Sequence, residues 1–226
     1  MISYLFIFGF FMLASWLVGY QLKRRFKEYS EIPLDQNLSG KEVAERMLSY
    51  HDINDVSVVC IEGELTDHYH PFKKTVNLSP DVYNGHNVAA AAIAAHECGH
   101  AVQHANAYAF LQMRSALVPV VSFASNMVQW ILLAGVLLIT VFPYLLLFGI
   151  ILFALTTLFS FITLPVEIDA SRRALIWLND SGITSDYSHD KAKDALKWAA
   201  YTYVIAALAS LATLVYYILI YLGRRN

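Results

Sequence analysis

Charge is scarce in this chain: only 15% of its 226 residues are Asp, Glu, Lys or Arg, while 57% are hydrophobic. A soluble globular domain carries about 25% charged residues, so an ordinary water-soluble globule is excluded, in line with a mean hydropathy of +0.46. Cysteine is nearly absent. Cys60 and Cys98 alone cannot build the disulfide framework that staples small secreted folds. A net charge of −2 and the lack of any basic stripe interleaved with aromatics exclude nucleic acid as a partner. No internal repeat and no low-complexity linker interrupts the chain.

What is abundant is apolar sequence in long runs. Four stretches reach the roughly 20 residues needed to cross a bilayer: Ile2–Leu22, Leu117–Thr140, Pro143–Leu164 and Ala199–Leu222. Lys23, Arg24, Arg25 and Lys27 follow the first of them at once. A cleaved signal peptide carries its positive charge ahead of a shorter apolar core, so this stretch is expected to be a retained anchor with its N-terminus outside. Nine Lys and Arg, Lys23 through Arg114, lie between the first two spans, and five, Arg172 through Lys197, lie between the last two. The Val141-Phe142-Pro143 turn has none. By the positive-inside rule both charged segments face the cytoplasm, with Arg224 and Arg225 running against that trend. Both cysteines then sit in a reducing compartment. No charge lies deep in a span. The polar stripe Ser122, Ser125, Asn126, Gln129 is expected to hydrogen-bond between helices inside the bundle. The small face Ala206, Ala209, Ser210, Thr213 suits close helix packing.

The one sizeable extramembrane segment runs from about Gln21 to Arg114. Ser39 and Glu42 form a capping box ahead of an amphipathic helix whose Val43, Met47 and Leu48 share a face. Val56–Ile61 and Lys74–Leu78 read as short strands, with a turn at Glu62–Leu65 and a polar loop at Asp67–Pro71. A sheet edge beside the following helix is well placed to hold an extended peptide. After Leu164-Pro165 the sequence stays helical as far as Asn179-Asp180, with Gly182 as C-cap. A new helix is expected to start near Ser188.

The most informative segment is His96-Glu97-Cys98-Gly99-His100, an H-E-x-x-H pattern behind the helix-forming run Val88–Ala95, which Asn87 can cap. Two imidazoles at i, i+4 share one helix face and can grip one zinc ion, and the glutamate between them can serve as general base. A catalytic site of this kind needs a third protein ligand. His104, two turns beyond His96, could reach the metal only by straining the helix. Glu167 is favoured, because a carboxylate at a membrane boundary is costly unless paired or metal-bound; the competing reading is a salt bridge with Arg114 or Arg172. Asp169 is expected to pair with Arg172 or Arg173, and Cys98 to pack. His68, His70 and His86 precede the helix and could bind a tetrahedral intermediate or a second metal, though loop histidines are more often solvated. His189 reads as a helix-start residue.

The blocks Leu65–Tyr69, Asn77–Ser79, Val82-Tyr83, Ala94–His104 and Leu164–Glu167 leading into Ala170–Ala174 resemble the YugP-like neutral zinc metallopeptidase family over nearly the whole chain. That family is similar in layout to membrane gluzincins of the HtpX and CAAX-processing types. The resemblance implies a third zinc ligand from a later helix, matching Glu167. In the broader group an Asp usually follows that Glu by four residues, where this chain has Ser171. The position of His70 is commonly Asp in the family.

Together these observations lead us to expect a mainly α integral membrane protein of about four transmembrane helices with a small cytoplasmic α+β zincin-like region. Its expected divisions are an anchor at 1–22, the zincin-like region at 23–114, a transmembrane hairpin at 115–166, cytoplasmic helices carrying the third ligand at 167–198, and a last transmembrane helix at 199–226. The expected activity is that of a zinc metalloendopeptidase in a bacterial plasma membrane. One Zn2+ would be held by His96, His100 and Glu167, with Glu97 as base and Arg172 or His70 supporting the oxyanion, and the substrates would be peptides or membrane proteins. The alternative is a metal-stabilised membrane scaffold or chaperone-like protein, which needs no base at Glu97.

Overall fold

The computed structural model describes residues 2–223, so Arg224 and Arg225 lie outside the described residues. Seven helices and three short strands follow in the order α1 (Ile2–Ser30), α2 (Gly40–Tyr50), β1 (Ser57–Cys60), β2 (His68–His70), β3 (Thr75–Leu78), α3 (Pro80–Tyr83), α4 (Val88–Ala105), α5 (Ala109–Leu137), α6 (Pro143–Asp180) and α7 (Asp186–Gly223). Four helices, α1, α5, α6 and α7, are long and apolar enough to cross a membrane. The chain divides into two compact units.

One unit comprises the described residues up to Leu17, Gln112–Leu164, and those from Thr202 on. Its centre is the contact of α5 with α6, where Val128, Leu132, Leu146 and Ile150 are buried together. Gly135 permits this, since a Cβ there would lie 2.6 Å from the Cα of Leu146. That close approach fixes the rotation of α5 and turns Val121, Ala124, Val128 and Leu132 inward. It also corrects the expectation for the polar stripe, because Ser122, Ser125, Asn126 and Gln129 are left on the exposed face. The small face of α7 is likewise looser than expected: Ala209, Ser210 and Thr213 face Ile7, Phe11 and Met12 of α1 across a groove of about 320 Å³.

The other unit comprises Val18–Leu111 and Pro165–Tyr201. The capping box of α2 forms as the sequence indicates: Ser39 Oγ accepts from the Glu42 N–H, and Glu42 Oε2 accepts from the Ser39 N–H. This seats Val43, Met47 and Leu48 in a core shared with Val76 and Leu78 of β3, the inner face of α4, and Ala174, Leu178 and Leu196. Complete burial of a Leu- or Met-sized side chain contributes about 1.5–3 kcal/mol, so this cluster is what holds α4 in place. The sheet order is β1-β3-β2, with β1 parallel and β2 antiparallel to β3. Residues 68–70, expected as part of a polar loop, are therefore an edge strand. A three-residue strand of two histidines and a tyrosine, stopped by Pro71, carries too short an alternation to be read from sequence, and pairing with β3 supplies its order. The helix of α7 begins at Asp186, two residues ahead of the expected start. The helix of α6 runs through Pro165 to Asp180, and Gly182 takes the left-handed conformation (φ +64) just beyond it.

Candidate metal centre

The helix α4 starts where Asn87 accepts the Ala90 N–H with its side chain. Its buried alanines allow close packing on both sides. At Gly99 a Cβ would stand 2.5 Å from the Ala170 carbonyl oxygen, so only glycine lets α6 come this near. The approach brings Glu167, 3% exposed, against the two histidines. Its Oε2 lies 3.4 Å from His96 Nε2 and 3.6 Å from His100 Nε2. All three donor atoms fall within 4.8 Å of one another. Bonds of about 2.0–2.1 Å to tetrahedral zinc separate neighbouring ligand atoms by roughly 3.4 Å, so the donor set and its spacing fit that ion. His104 is outside this group.

The far nitrogen of each imidazole is also engaged. Gln103, fully buried, donates through Nε2 to the Val166 carbonyl at 2.8 Å and to Asp169 Oδ2 at 2.9 Å. The amide is thereby oriented with Oε1 toward His100 Nδ1, 3.1 Å away. An amide oxygen only accepts, so Nδ1 of His100 carries the proton and Nε2 keeps its lone pair for a metal. Asp169 also accepts from Arg173 Nε at 2.6 Å, the expected pairing. It thus acts on His100 through Gln103, without any distortion of the helix. Ser171 Oγ lies 3.0 Å from His96 Nδ1 and so holds that ring by its far nitrogen. Neither Gln103 nor Ser171 was recognised from sequence. The signal for Gln103 was its position three residues after His100, on the same helix face.

Glu97 is buried, and its Oε2 accepts the N–H of Tyr69 at 3.0 Å, from the edge strand β2. Burial lowers the pKa of His100, but the hydrogen bond to Glu167 and the charge of Glu97 outweigh it and hold that pKa above the ordinary value. Burial, assisted by Asp55, pushes the Tyr69 hydroxyl up to about 12. It stays a neutral group 2.8 Å from His104 Nδ1, which places His104 at the rim. Cys98 packs as expected: it is buried, its Sγ donates to the Ala44 carbonyl, and burial raises its pKa well above the ordinary value. Four further histidines bind backbone or neighbouring groups, His68 the Thr66 carbonyl, His70 the Lys73 N–H, His86 the Asn37 carbonyl and His189 the Thr184 hydroxyl.

Four apolar helices and a His-His-Glu cluster define the class as a membrane protein with the donor set of a zinc peptidase. The family described as "Putative neutral zinc metallopeptidase" matches residues 4–222, and the chain belongs to it. It is 38% identical over 214 residues to the "Putative membrane protease YugP" of Bacillus subtilis (strain 168), covering 95% of this chain and 94% of that protein. No solved structure matches the chain.

Proposed function

We propose that this chain is a zinc endopeptidase that hydrolyses peptide bonds near the cytoplasmic membrane face, with His96, His100 and Glu167 as metal ligands and Glu97 as general base. In this reading residues 23–114 and 167–198 form a cytoplasmic gluzincin-like region, and the substrates are peptides or segments of membrane proteins. The observation that carries it is the convergence of two Nε2 atoms and one carboxylate oxygen at 3.4–3.6 Å beside a buried glutamate. When bound, zinc supplies Lewis acidity, polarising the scissile carbonyl and bringing a water toward a pKa of about 7.

The chain's own residues do the rest. Glu97, held at one oxygen by the Tyr69 N–H, has its other oxygen available to accept the proton of the attacking water and return it to the departing amine. Gln103 and Ser171 fix the imidazoles so that the ligand atoms need no reorganisation. A groove of about 510 Å³ passes Asp67, at the foot of β2, and Ile93, one turn ahead of Glu97. Phe26, Leu65 and Val82 also line it, which supports an extended peptide with an apolar side chain as occupant.

The test is Glu97→Gln in the full-length protein, assayed for zinc content and for cleavage of a mixed peptide library. Zinc is expected to stay near one per chain while turnover falls by roughly 10²–10⁴-fold. Undiminished turnover would refute the role of Glu97.

A further inference from the structure

A second groove, of about 560 Å³, lies between the C-terminal part of α6 and the N-terminal part of α7; it holds none of the three candidate ligands, although Ser171, the partner of His96, is in its wall. Three cations border it, Arg172 from α6 and Lys193 and Lys197 from α7, against one carboxylate, Asp180. All three cations are exposed, and Lys197 Nζ stands 5.6 Å over the Tyr201 ring. Between them stand apolar side chains, of which Ile168 is 53% and Ile176 49% exposed. Lys193 and Arg172 with the exposed Ile168 on their membrane side suit a molecule that is anionic at one end and hydrocarbon at the other.

The position along the helices agrees. The apolar run of α6 ends at Leu164 and that of α7 begins at Ala199. Ile168 is therefore about 6 Å of helix beyond one run, while Lys197 precedes the other by about 3 Å and Lys193 by about 9 Å. The polar layer of a bilayer is about 5–8 Å thick on each side. Lys197 and Lys193 thus stand in and just above the headgroup layer with Ile168 level between them, while Arg172, about 12 Å beyond the run, and Ile176, about 18 Å beyond it, stand above that layer. The two lysines supply point charges at the level of a headgroup phosphate, and Arg172 adds positive charge on its water side. Basic pockets between spans at this depth bind anionic headgroups.

We propose that the membrane end of this groove is a binding site for an anionic phospholipid, its headgroup phosphate held by Lys193 and Lys197 and the start of an acyl chain against Ile168. The experiment uses the full-length protein in phosphatidylcholine nanodiscs with increasing phosphatidylglycerol, followed by native mass spectrometry of the released protein. Wild type is expected to retain phosphatidylglycerol in preference to phosphatidylcholine. Each cation near an anionic headgroup is worth about fivefold in affinity, so Lys193→Gln/Lys197→Gln should lower retention roughly 25-fold. Ile168→Glu, which leaves every cation in place, should also lower it. Lys23→Gln/Lys27→Gln removes the same charge from α1 and should leave retention unchanged. Equal loss in that control would overturn the site in favour of general surface charge. Absence of any preference for phosphatidylglycerol, or displacement of the lipid by millimolar inorganic phosphate, would overturn it as well.

Discussion

At the scale of single residues, the site rests on two side chains that are not ligands. Gln103 has both amide hydrogens committed, to Val166 and Asp169, and this sets the tautomer of His100. Replacing a group that orients a metal-bound histidine weakens metal binding about 10–100-fold, and Gln103→Leu and Ser171→Ala should each fall in that range by competition with a zinc-sensitive dye. Ser171→Asp is expected to bind zinc at least as tightly as wild type, because a carboxylate is the stronger acceptor for the His96 Nδ1 proton. Zinc binding also carries a pH dependence of definite sign. The pKa of His100 lies above its ordinary value of 6.5 in the metal-free chain, so the proton that Glu167 and Glu97 favour must leave before Nε2 can ligate. Affinity should therefore drop as pH falls through the raised pKa of His100, which lies above 6.5, and a measured Kd that does not weaken as pH is lowered to 6 would contradict this. The H-E-x-x-H pair was legible because i, i+4 spacing on one helix needs no tertiary knowledge, and Glu167 because a boundary carboxylate demands a partner. Ser171 and Gln103 were not, since their roles exist only once α6 lies on α4.

At the scale of elements, α4 and α6 make the centre by their nearness. Gly99 sits between His96 and His100 in sequence, yet its task is to face the Ala170 carbonyl. Gly99→Ala, which touches no ligand, should push α6 away and reduce zinc affinity while leaving the helix content seen by circular dichroism unchanged. Helical spacing also made α2 and its capping box readable from sequence. The strand β2 escaped because three residues carry no periodic signal, and its order comes from β3 and from the Tyr69 N–H bound to Glu97. The polar stripe of α5 shows a different limit. Periodicity told which residues share a face, and the contact of Gly135 with Leu146 decided which face turns inward.

At the scale of the molecule, the four apolar runs were visible in composition alone, because hydrocarbon length sets span length. Family membership agrees with that reading of membrane protein and zinc peptidase. A metal bound only by the folded chain stabilises it by about 2.7 kcal/mol at a hundredfold excess over Kd, worth roughly 5–10 °C in Tm at this chain length. Stripping with a chelator should lower the Tm of wild type by that amount and leave Glu167→Ala nearly unmoved. The most direct test of the central claim is elemental analysis of zinc in the detergent-purified wild type beside Glu167→Ala. About one zinc per wild-type chain, lost or strongly weakened in the variant, is the predicted result. Full zinc retention without Glu167, or none in the reconstituted wild type, would contradict the three-ligand centre.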